Sequence, residues 1–487
     1  MTAQSVVGPV LVDLAAPVPL GRDRAESPHA AVDRLCRQMR EVCASAVDPL
    51  EIAAALEAEA GLTGPTLRAR YGCPDVFTLA DEMYRRTVRW PAEPPPQPDL
   101  WAADPRTHVA HAVLYGLPAA SYAVATPLLS GGASLTVVLV SMVTSWTLSQ
   151  ALAYLGYARL SGLDRGGAAQ VLRAGLPAGT AVLGAALAAA ALLAPAGAAV
   201  LVFAAAQGVY LLAATVLLVL KAERWVFAAL APGALASVAY LMAGRPASVD
   251  GLLWLPLVVT AVVACGAAVA VTRSPGPRVR LTPSPAELRG ALTQAQFGLF
   301  AAGLLAFPVA VVGFGAGSAV SAVAVLTLPL SLSMGAAEWS LYRYRRDVQE
   351  LLDRCRTVRQ FGPGARRVLV GAVLRYLMAA AVLIAVTVAA LPGSVAVTSA
   401  GTAVVLCASY LALGGALFVA LLLQALGGGG GTGVACGAAL ALEAALVLGL
   451  PAGAVDVMAA QLIASALLLA GLVLVASAVL GRVESHI

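Results

Sequence analysis

The sequence predicts an all-α, polytopic membrane protein with about 12 transmembrane helices in two six-helix halves, preceded by a small cytoplasmic N-terminal helical domain. Three observations predict this class: the composition, the recurrence of long apolar runs, and the alternation of charge between successive loops. The 487 residues are 60% hydrophobic and 12% charged, with a mean hydropathy of +0.85. A soluble globular chain carries about 25% charged residues, so a bilayer is the expected solvent for most of this chain.

The apolar runs define the individual spans. A helix needs about 20 apolar residues to cross the hydrocarbon core, and this length divides the chain after residue 108 into twelve spans. They are predicted at 109–130, 134–158, 169–193, 196–220, 225–244, 250–272, 289–315, 318–341, 367–391, 395–426, 432–451 and 456–480.

The loops between these spans alternate in charge. One set is basic and includes "RLSGLDRGG", "KAER" and "RSPGPRVRLTPSPAELRG", whereas the other set, which includes "GGAS", "APAGA" and "PGSV", is nearly neutral. Basic residues collect on the cytoplasmic side of membrane proteins. We therefore expect a protein of the cell (plasma) membrane whose basic loops and both termini are cytoplasmic, although the loop "GGGGGTG" on that side carries no charge.

Composition divides the chain into six segments. They are a flexible tail (1–28), a small cytoplasmic helical domain (29–91), a Pro-rich linker (92–107), the first six-helix membrane half (108–272), a cytoplasmic connecting loop (273–288) and the second six-helix membrane half (289–487).

The two halves carry a faint internal repeat. "YGLPAASYAVATP" in span 1 resembles "FGLFAAGLLAFP" in span 7, and "LSQALAYLGYAR" in span 2 resembles "LSMGAAEWSLYR" in span 8. An even number of spans in each half makes such repeats parallel, related by an axis normal to the membrane. Two similar halves around a central cavity are typical of alternating-access transporters.

The N-terminal domain begins with a well-marked helix. In "DPLEIAAALEAEAG", Asp48 is placed to cap the helix, Glu51 has the spacing of a capping box, and Gly61 ends it. The following "LTGPTLRARYGCPDVFTLADEMYRRT" resembles the helix-turn-helix of TetR-type regulators. Acids and bases are nearly balanced over 29–91, so no basic face for phosphates is expected and no nucleic acid is expected as a partner. A module on which a cytoplasmic protein docks is the better interpretation.

Ionisable residues inside a span are costly, so they are functional candidates by default. Glu443, midway along span 11, is either a coupling carboxylate or a protonated side chain bonded to a neighbouring helix. Arg375 in span 9 either faces the cavity or snorkels to the interface. Glu338, at the end of span 8, and Gln150, in span 2, complete the candidate cavity or coupling residues.

Two further polar features have weaker functional interpretations. His108 and His111 lie one turn apart at the entrance of span 1, where they either sense pH or, more commonly, anchor the helix at the interface. The seven cysteines form no CxxC pair. This spacing predicts neither a metal site nor a disulfide framework. No catalytic motif and no cofactor site is expected.

Basic residues follow span 8 without a break. The apolar positions of 341–358 recur every three or four residues, which predicts an amphipathic helix continuing span 8 beneath the inner leaflet. Its arginines are the candidate contacts to anionic lipid head groups. They are Arg343, Arg345, Arg346, Arg354 and Arg356.

The loop after span 8, "EWSLYRYRRDVQELLDRCRTVRQFGPGARR", together with "GYARLSGLDRGGAAQVL" after span 2, resembles the multidrug/oligosaccharidyl-lipid/polysaccharide (MOP) exporter superfamily. Polysaccharide flippases of that group carry basic helical segments at these two equivalent positions. The resemblance implies alternating-access export or flipping of a lipid-linked or polymeric saccharide, with membrane lipids as further partners. The first half departs from the group, because its spans lack the central arginines or buried acid found in some members.

Two alternatives remain open from the sequence. "SGLDRGG" resembles the loop after span 2 of the major facilitator superfamily, but it lacks the closing basic pair of that motif. A non-transporting scaffold for a cell-envelope synthase would share the topology and would need no cavity.

Overall fold

A computed structural model describes residues 27–60, 67–87, 105–124, 132–162, 164–243, 252, 254–273, 283–315, 317–355, 358–390, 400–427, 429–449 and 456–480. The regular elements formed by these residues are all helical, which confirms the predicted all-α class. The chain separates into two compact units, Met1–Leu100 and Trp101–Ile487.

The N-terminal unit is a small helical bundle with its own apolar core. Its helices are α1 (Pro28–Gln38), α2 (Arg40–Ser45), α3 (Pro49–Ala60) and α4 (Val76–Arg86), with one wide helical turn at Leu67–Tyr71. The core side chains that solvent does not reach include Ile52, Leu56, Leu79 and Met83.

The predicted cap of α3 is present. The Asp48 Oδ1 atom accepts hydrogen bonds from the backbone N–H groups of Leu50 (2.7 Å) and Glu51 (3.3 Å). In return, the Glu51 carboxylate accepts from the N–H of Val47 at 3.0 Å. These bonds satisfy backbone donors that a helix start leaves without an intrahelical partner.

The membrane unit contains one helix for each of the twelve predicted spans. They are α5 (Pro105–Val124), α6 (Gly132–Ser161), α7 (Arg165–Leu193), α8 (Ala198–Val219), α9 (Glu223–Met242), α10 (Leu255–Val271), α11 (Pro285–Gly315), α12 (Gly317–Arg354), α13 (Val358–Ala390), α14 (Ala400–Ala425), α15 (Thr432–Leu448) and α16 (Val457–Val479). By length and apolarity over the described residues, eight of them qualify as membrane spans: α6, α7, α8, α11, α13, α14, α15 and α16.

The two halves have separate hydrophobic cores. The first core includes Leu172, Phe203, Leu212, Leu217 and Ala264, all from α7, α8 and α10. The second includes Tyr344, Phe361, Tyr410, Leu423 and Cys436, from α12 to α15. Because each half buries its apolar side chains mainly within itself, each is a packed body in its own right.

Helix α12 is much longer than a bilayer requires. At 1.5 Å per residue its 38 residues extend about 57 Å, whereas the hydrocarbon core is about 30 Å thick. The predicted apolar stripe is present, with Tyr344 and Val348 buried. It packs against the second core, which includes Phe361 and Leu369 of α13. The stripe therefore faces protein.

The buried thiol of Cys43 gives a test of the N-terminal unit. Burial raises the pKa of this thiol from 9.0 to about 11, so little nucleophilic thiolate exists near neutral pH. In the folded protein at pH 7.5, we expect maleimide to modify Cys43 at least tenfold more slowly than in the denatured chain. Cys36, which is only partly buried, serves as the internal control and should react faster than Cys43. Peptide mass spectrometry measures both, and equal rates for Cys43 before and after denaturation would contradict the packing described.

The same shift has a consequence for stability. Folding favours the neutral thiol of Cys43. Its contribution to the free energy of unfolding is therefore complete below pH 9 and is lost as the pH rises toward 11.

Candidate functional site: a polar junction between the two halves

The two membrane halves meet along two pairs of helices. Helix α5 packs against α12, and α6 packs against α11. In the internal repeat, spans 1 and 2 correspond to spans 7 and 8, so exchanging the halves converts one pair into the other. The arrangement is that expected when two similar bodies pack about an axis normal to the membrane.

Glycines allow close approach at both pairs. Gly116 of α5 faces the Leu332 side chain, and the equivalent Gly298 of α11 faces Thr147 and Gln150 of α6. A methyl group at Gly298 would lie 2.8 Å from Gln150 Cγ and 3.1 Å from Thr147 Cα. Small residues let membrane helices pack at short range, and these two positions set the separation of the halves.

A third glycine brings α12 against the backbone of α5. A methyl group at Gly335 would lie 2.5 Å from the carbonyl oxygen of His108 and 2.5 Å from Ala112 Cβ. Both His108 and His111 are buried, and the Tyr342 ring lies 5.2 Å from the His108 ring between centroids. The two histidines therefore do not act as exposed interfacial anchors.

His111 connects three helices. Its Nδ1 atom lies 2.6 Å from Glu338 Oε2 on α12, and its Nε2 atom lies 2.9 Å from Glu223 Oε2 on α9. Glu223 is the first residue of α9, and the preceding turn includes Lys221 with a φ of 56°. That left-handed conformation ends α8 abruptly and places the Glu223 carboxylate beside the imidazole.

His108 lies one turn before His111 and faces the same carboxylate. Its Nδ1 atom is 3.6 Å from Glu338 Oε2. This distance is too long for a hydrogen bond, and the atom is buried with no hydrogen-bond partner among the described residues. A buried polar atom in that state is uncommon in native structures.

The other helix pair is joined by a different interaction at the same end. The Arg159 guanidinium of α6 contacts the Glu287 carboxylate of α11, with Nη2 donating to Oε2 at 3.1 Å and Nε to Oε1 at 2.5 Å. Both side chains are mostly buried. Two polar junctions thus join the halves at the end that carries the basic loops.

The internal repeat shows that the histidine cluster is not required by the fold. The repeat alignment places Gly290 opposite His108 and Tyr154 opposite Glu338. These two residues contact each other, because a methyl group at Gly290 would overlap the Tyr154 ring. At this equivalent position the α6–α11 pair therefore packs through Gly290 and Tyr154 and without imidazole groups.

Three candidate residues from the sequence lie in contacts of different kinds. Glu338 belongs to the histidine cluster, and Gln150 lies against Gly298 at the second helix pair. Arg375 donates to Asp347 Oδ2 at 3.1 Å, so it pairs with the extension of α12. Two cavities formed by described residues, one in each half, do not include Arg375 or Glu443 in their linings.

Glu443 occupies a buried position in the second half. It is fully buried on α15, and both carboxylate oxygens lack a hydrogen-bond partner among the described residues. The Tyr410 hydroxyl is close enough to interact with this carboxylate electrostatically. Burying an unpaired carboxyl group costs free energy, so the position is one that packing alone does not favour.

The arginines after span 8 mostly contact protein groups. Arg345 donates to the carbonyl oxygen of Ala425 at 3.0 Å, which satisfies the C-terminus of α14. Arg346 and Arg354 both pair with Glu350, as their spacing predicts. Arg343 lies over the Trp339 ring at 5.8 Å. Arg356 lies outside the described residues.

Sequence reasoning missed the partnership of His108, His111, Glu338 and Glu223. Their nitrogen and oxygen atoms come from three helices, and His111 is separated from Glu338 by 227 positions. The one available signal was the spacing of the two histidines, since residues three apart share a helix face.

No protein-family model matches the chain, and no curated protein matches it. Among solved structures, it is similar to an inward-facing multidrug resistance MATE family transporter of the MOP superfamily, at 14% identity and a TM-score of 0.46 over 78% of this chain and 99% of that one. It is also similar to an outward-facing transporter of the same description, at 15% identity and a TM-score of 0.47 over 80% of this chain and 97% of the other.

A third similar structure is a MATE protein in complex with Br-NRF, at 14% identity and a TM-score of 0.47, covering 79% of this chain and 99% of that chain. Two of the three are described as members of the superfamily that the basic loops resemble.

The close approach at Gly335 gives a test of the junction. We expect Gly335→Ala to destabilise the protein, because the added methyl group meets the backbone of His108 and overpacking costs about 1–3 kcal/mol. Gly184→Ala is the matched control, since Gly184 lies inside helix α7 and no described residue lies within 4 Å of an added methyl group. There, the helix propensity of Ala gives a gain of up to about 1 kcal/mol. Thermal unfolding of the purified protein measures both, and equal midpoints for the two variants would refute the close contact.

Proposed function

We propose that this chain is a multi-pass membrane transporter that exports or flips a lipid-linked or polymeric saccharide by alternating access. The observation that carries the proposal is the division of the membrane unit into two bodies with separate cores, which meet through two related helix pairs. Bodies built in this way can rock against each other while each keeps its own packing. A rigid scaffold has no need of such a division.

The polar junctions fit a gate at the basic end of the molecule. His111 with Glu338 and Arg159 with Glu287 each join one half to the other. Exchange between two access states requires both junctions to break. Each consists of a few polar contacts that water can replace when the halves separate, so this end is suited to opening.

Glu443 is our candidate for energy coupling. A buried carboxyl group without a hydrogen-bond partner among the described residues gains much from a proton or a small cation, since either neutralises an isolated charge in a buried site. The fully buried hydroxyl of Tyr410 supplies a neighbouring polar group. Ion binding at this position would favour one packing of α14 to α16 over another.

The basic end of the molecule supports the proposed substrate class. The extension of α12 carries an exposed arginine, Arg343, beyond the length needed to cross the bilayer. Cationic groups near the membrane surface attract both anionic lipid head groups and lipid-linked phosphates. We place this end, both termini and the N-terminal unit in the cytoplasm, and the protein in the cell membrane.

We also retain a docking role for the N-terminal unit. Val47, Leu50 and Phe77 expose more than half of their surface there, and apolar side chains of this size at a surface favour contact with another protein.

Deletion of the gene tests the proposed function. We expect lipid-linked saccharide to accumulate on the cytoplasmic side and surface glycan to fall at least tenfold, with both restored by the wild-type gene. A membrane-impermeant lectin on intact spheroplasts measures the outer pool, and the same lectin on lysed spheroplasts measures the sum of the outer and cytoplasmic pools. Normal surface glycan in the deletion strain would sink the proposed substrate.

The coupling role of Glu443 has its own test. Glu443→Gln preserves the size of the side chain but removes the titratable carboxyl group, so we expect transport to fall at least tenfold with normal expression and folding. Asp456→Asn is the matched control, because this exposed acid in the same half makes no side-chain hydrogen bond at the start of α16. Full transport by Glu443→Gln would exclude a coupling role.

A further inference from the structure

We propose that His108, His111 and Glu338 form a binding site for a divalent transition cation, with Zn²⁺ as the best match, and that the bound cation joins the two membrane halves. The three side chains each offer one ligand atom, and these atoms all lie within 4.8 Å of one another. Two imidazoles and one carboxylate form a ligand set that Zn²⁺ commonly takes, with a fourth position left for water.

The distances suit this coordination. Zn²⁺ binds nitrogen and oxygen ligands at about 2.0–2.2 Å, so neighbouring ligand atoms of a tetrahedral site lie about 3.3 Å apart. The His108 Nδ1 atom is 3.6 Å from Glu338 Oε2. The His111 Nδ1 atom is 2.6 Å from the same oxygen, a contact that lengthens by less than one ångström when a cation replaces the shared proton.

Glu223 completes the site as a positioning residue. A metal-bound imidazole usually donates its second N–H group to a carboxylate, which fixes its tautomer and orientation. The His111 Nε2 atom lies 2.9 Å from Glu223 Oε2, on the side of the ring away from Glu338. A neutral imidazole has a single N–H group. In the proposed site, His111 donates this group from Nε2 to Glu223, and its Nδ1 atom faces the position for the cation.

A second observation, independent of these distances, indicates a ligand at the Nδ1 atom of His108. This atom is buried, faces Glu338 and has no hydrogen-bond partner among the described residues. Its lone pair is satisfied by a cation placed between the three groups. Two carboxylates and two neutral imidazoles also carry a formal charge of about −2, which a divalent cation would balance next to the two buried imidazoles.

The position of the site implies its effect. His108 and His111 belong to the first half and Glu338 belongs to the second, so the ligands come from both bodies. A bound cation adds bonds across α5 and α12 and stabilises the closed junction at this end. The binding itself does not depend on the proposed transport activity.

Zinc binding by the purified full-length protein tests the site. We expect the wild type to take up one Zn²⁺ in competition with a chromophoric chelator, and His108→Ala to lower that affinity at least tenfold. His108 is the residue to change first, because its Nδ1 atom makes no hydrogen bond among the described residues and its loss leaves the His111–Glu338 contact in place. Glu338→Gln should weaken binding as well.

The control removes a histidine elsewhere. His486→Ala leaves all three ligands intact, so its affinity should equal that of the wild type, and the seven cysteines are present in every variant. Equal affinity in the wild type and His108→Ala would overturn the site and assign the binding to other groups. Absence of Zn²⁺ uptake by the wild type would overturn it too.

Hydrogen exchange tests the bridging effect separately from binding and transport. Zn²⁺ should slow amide exchange at least threefold in 105–118 of α5 and in 335–343 of α12, and this protection should be lost in His108→Ala. Zinc bound without protection of both helices would overturn the proposal that the cation joins the halves.

Discussion

The contact between Gly335 and the backbone of His108 is the constraint on which the junction depends. Because α12 carries no side chain at this point, its axis comes close enough to α5 for Glu338 to reach both histidines. A larger residue would move the carboxylate outward and leave two buried imidazoles without it. The chemistry of the junction is therefore a consequence of the packing between two helices that belong to different halves.

The two sides of the interface satisfy their polar groups differently. Arg159 and Glu287 form a two-bond pair in which the charges neutralise each other, and Glu287 also accepts from the N–H of Ser284 at 2.7 Å. In the histidine cluster, the Nδ1 atom of His108 has no hydrogen-bond partner among the described residues. Buried polar networks contribute most to stability when every member has a partner. Only the first junction meets that condition within the described residues.

Much of the fold was predictable from the sequence, since hydropathy alone located twelve helices. The main boundary that shifted is the start of α13, which begins at Val358 where the span was predicted from 367. Hydropathy places the charged Arg366 and Arg367 outside the hydrocarbon core, so the span was predicted to begin there. Hydropathy does not predict a helix that lies outside the membrane. The apolar stripe of α12 was also predictable, but periodicity does not say whether protein or lipid covers it.

The candidate site was harder to predict for a physical reason. Glu443 was identified because a carboxylate inside an apolar run can be recognised from the sequence alone. Glu223 was not found, because it stands in a charged loop where acids are ordinary, and only the turn at Lys221 directs it toward His111. Partnerships between helices depend on crossing geometry and on the positions of small residues, neither of which a single sequence fixes.

The unbroken course of α12 has a mechanical consequence. Residues from Glu338 to Arg354 belong to one continuous helix, and the outer part is braced by Arg345 on α14 and by Asp347 on Arg375 of α13. Because the helix is continuous, a displacement of its charged end would move Glu338 with it and would not be absorbed in a loop.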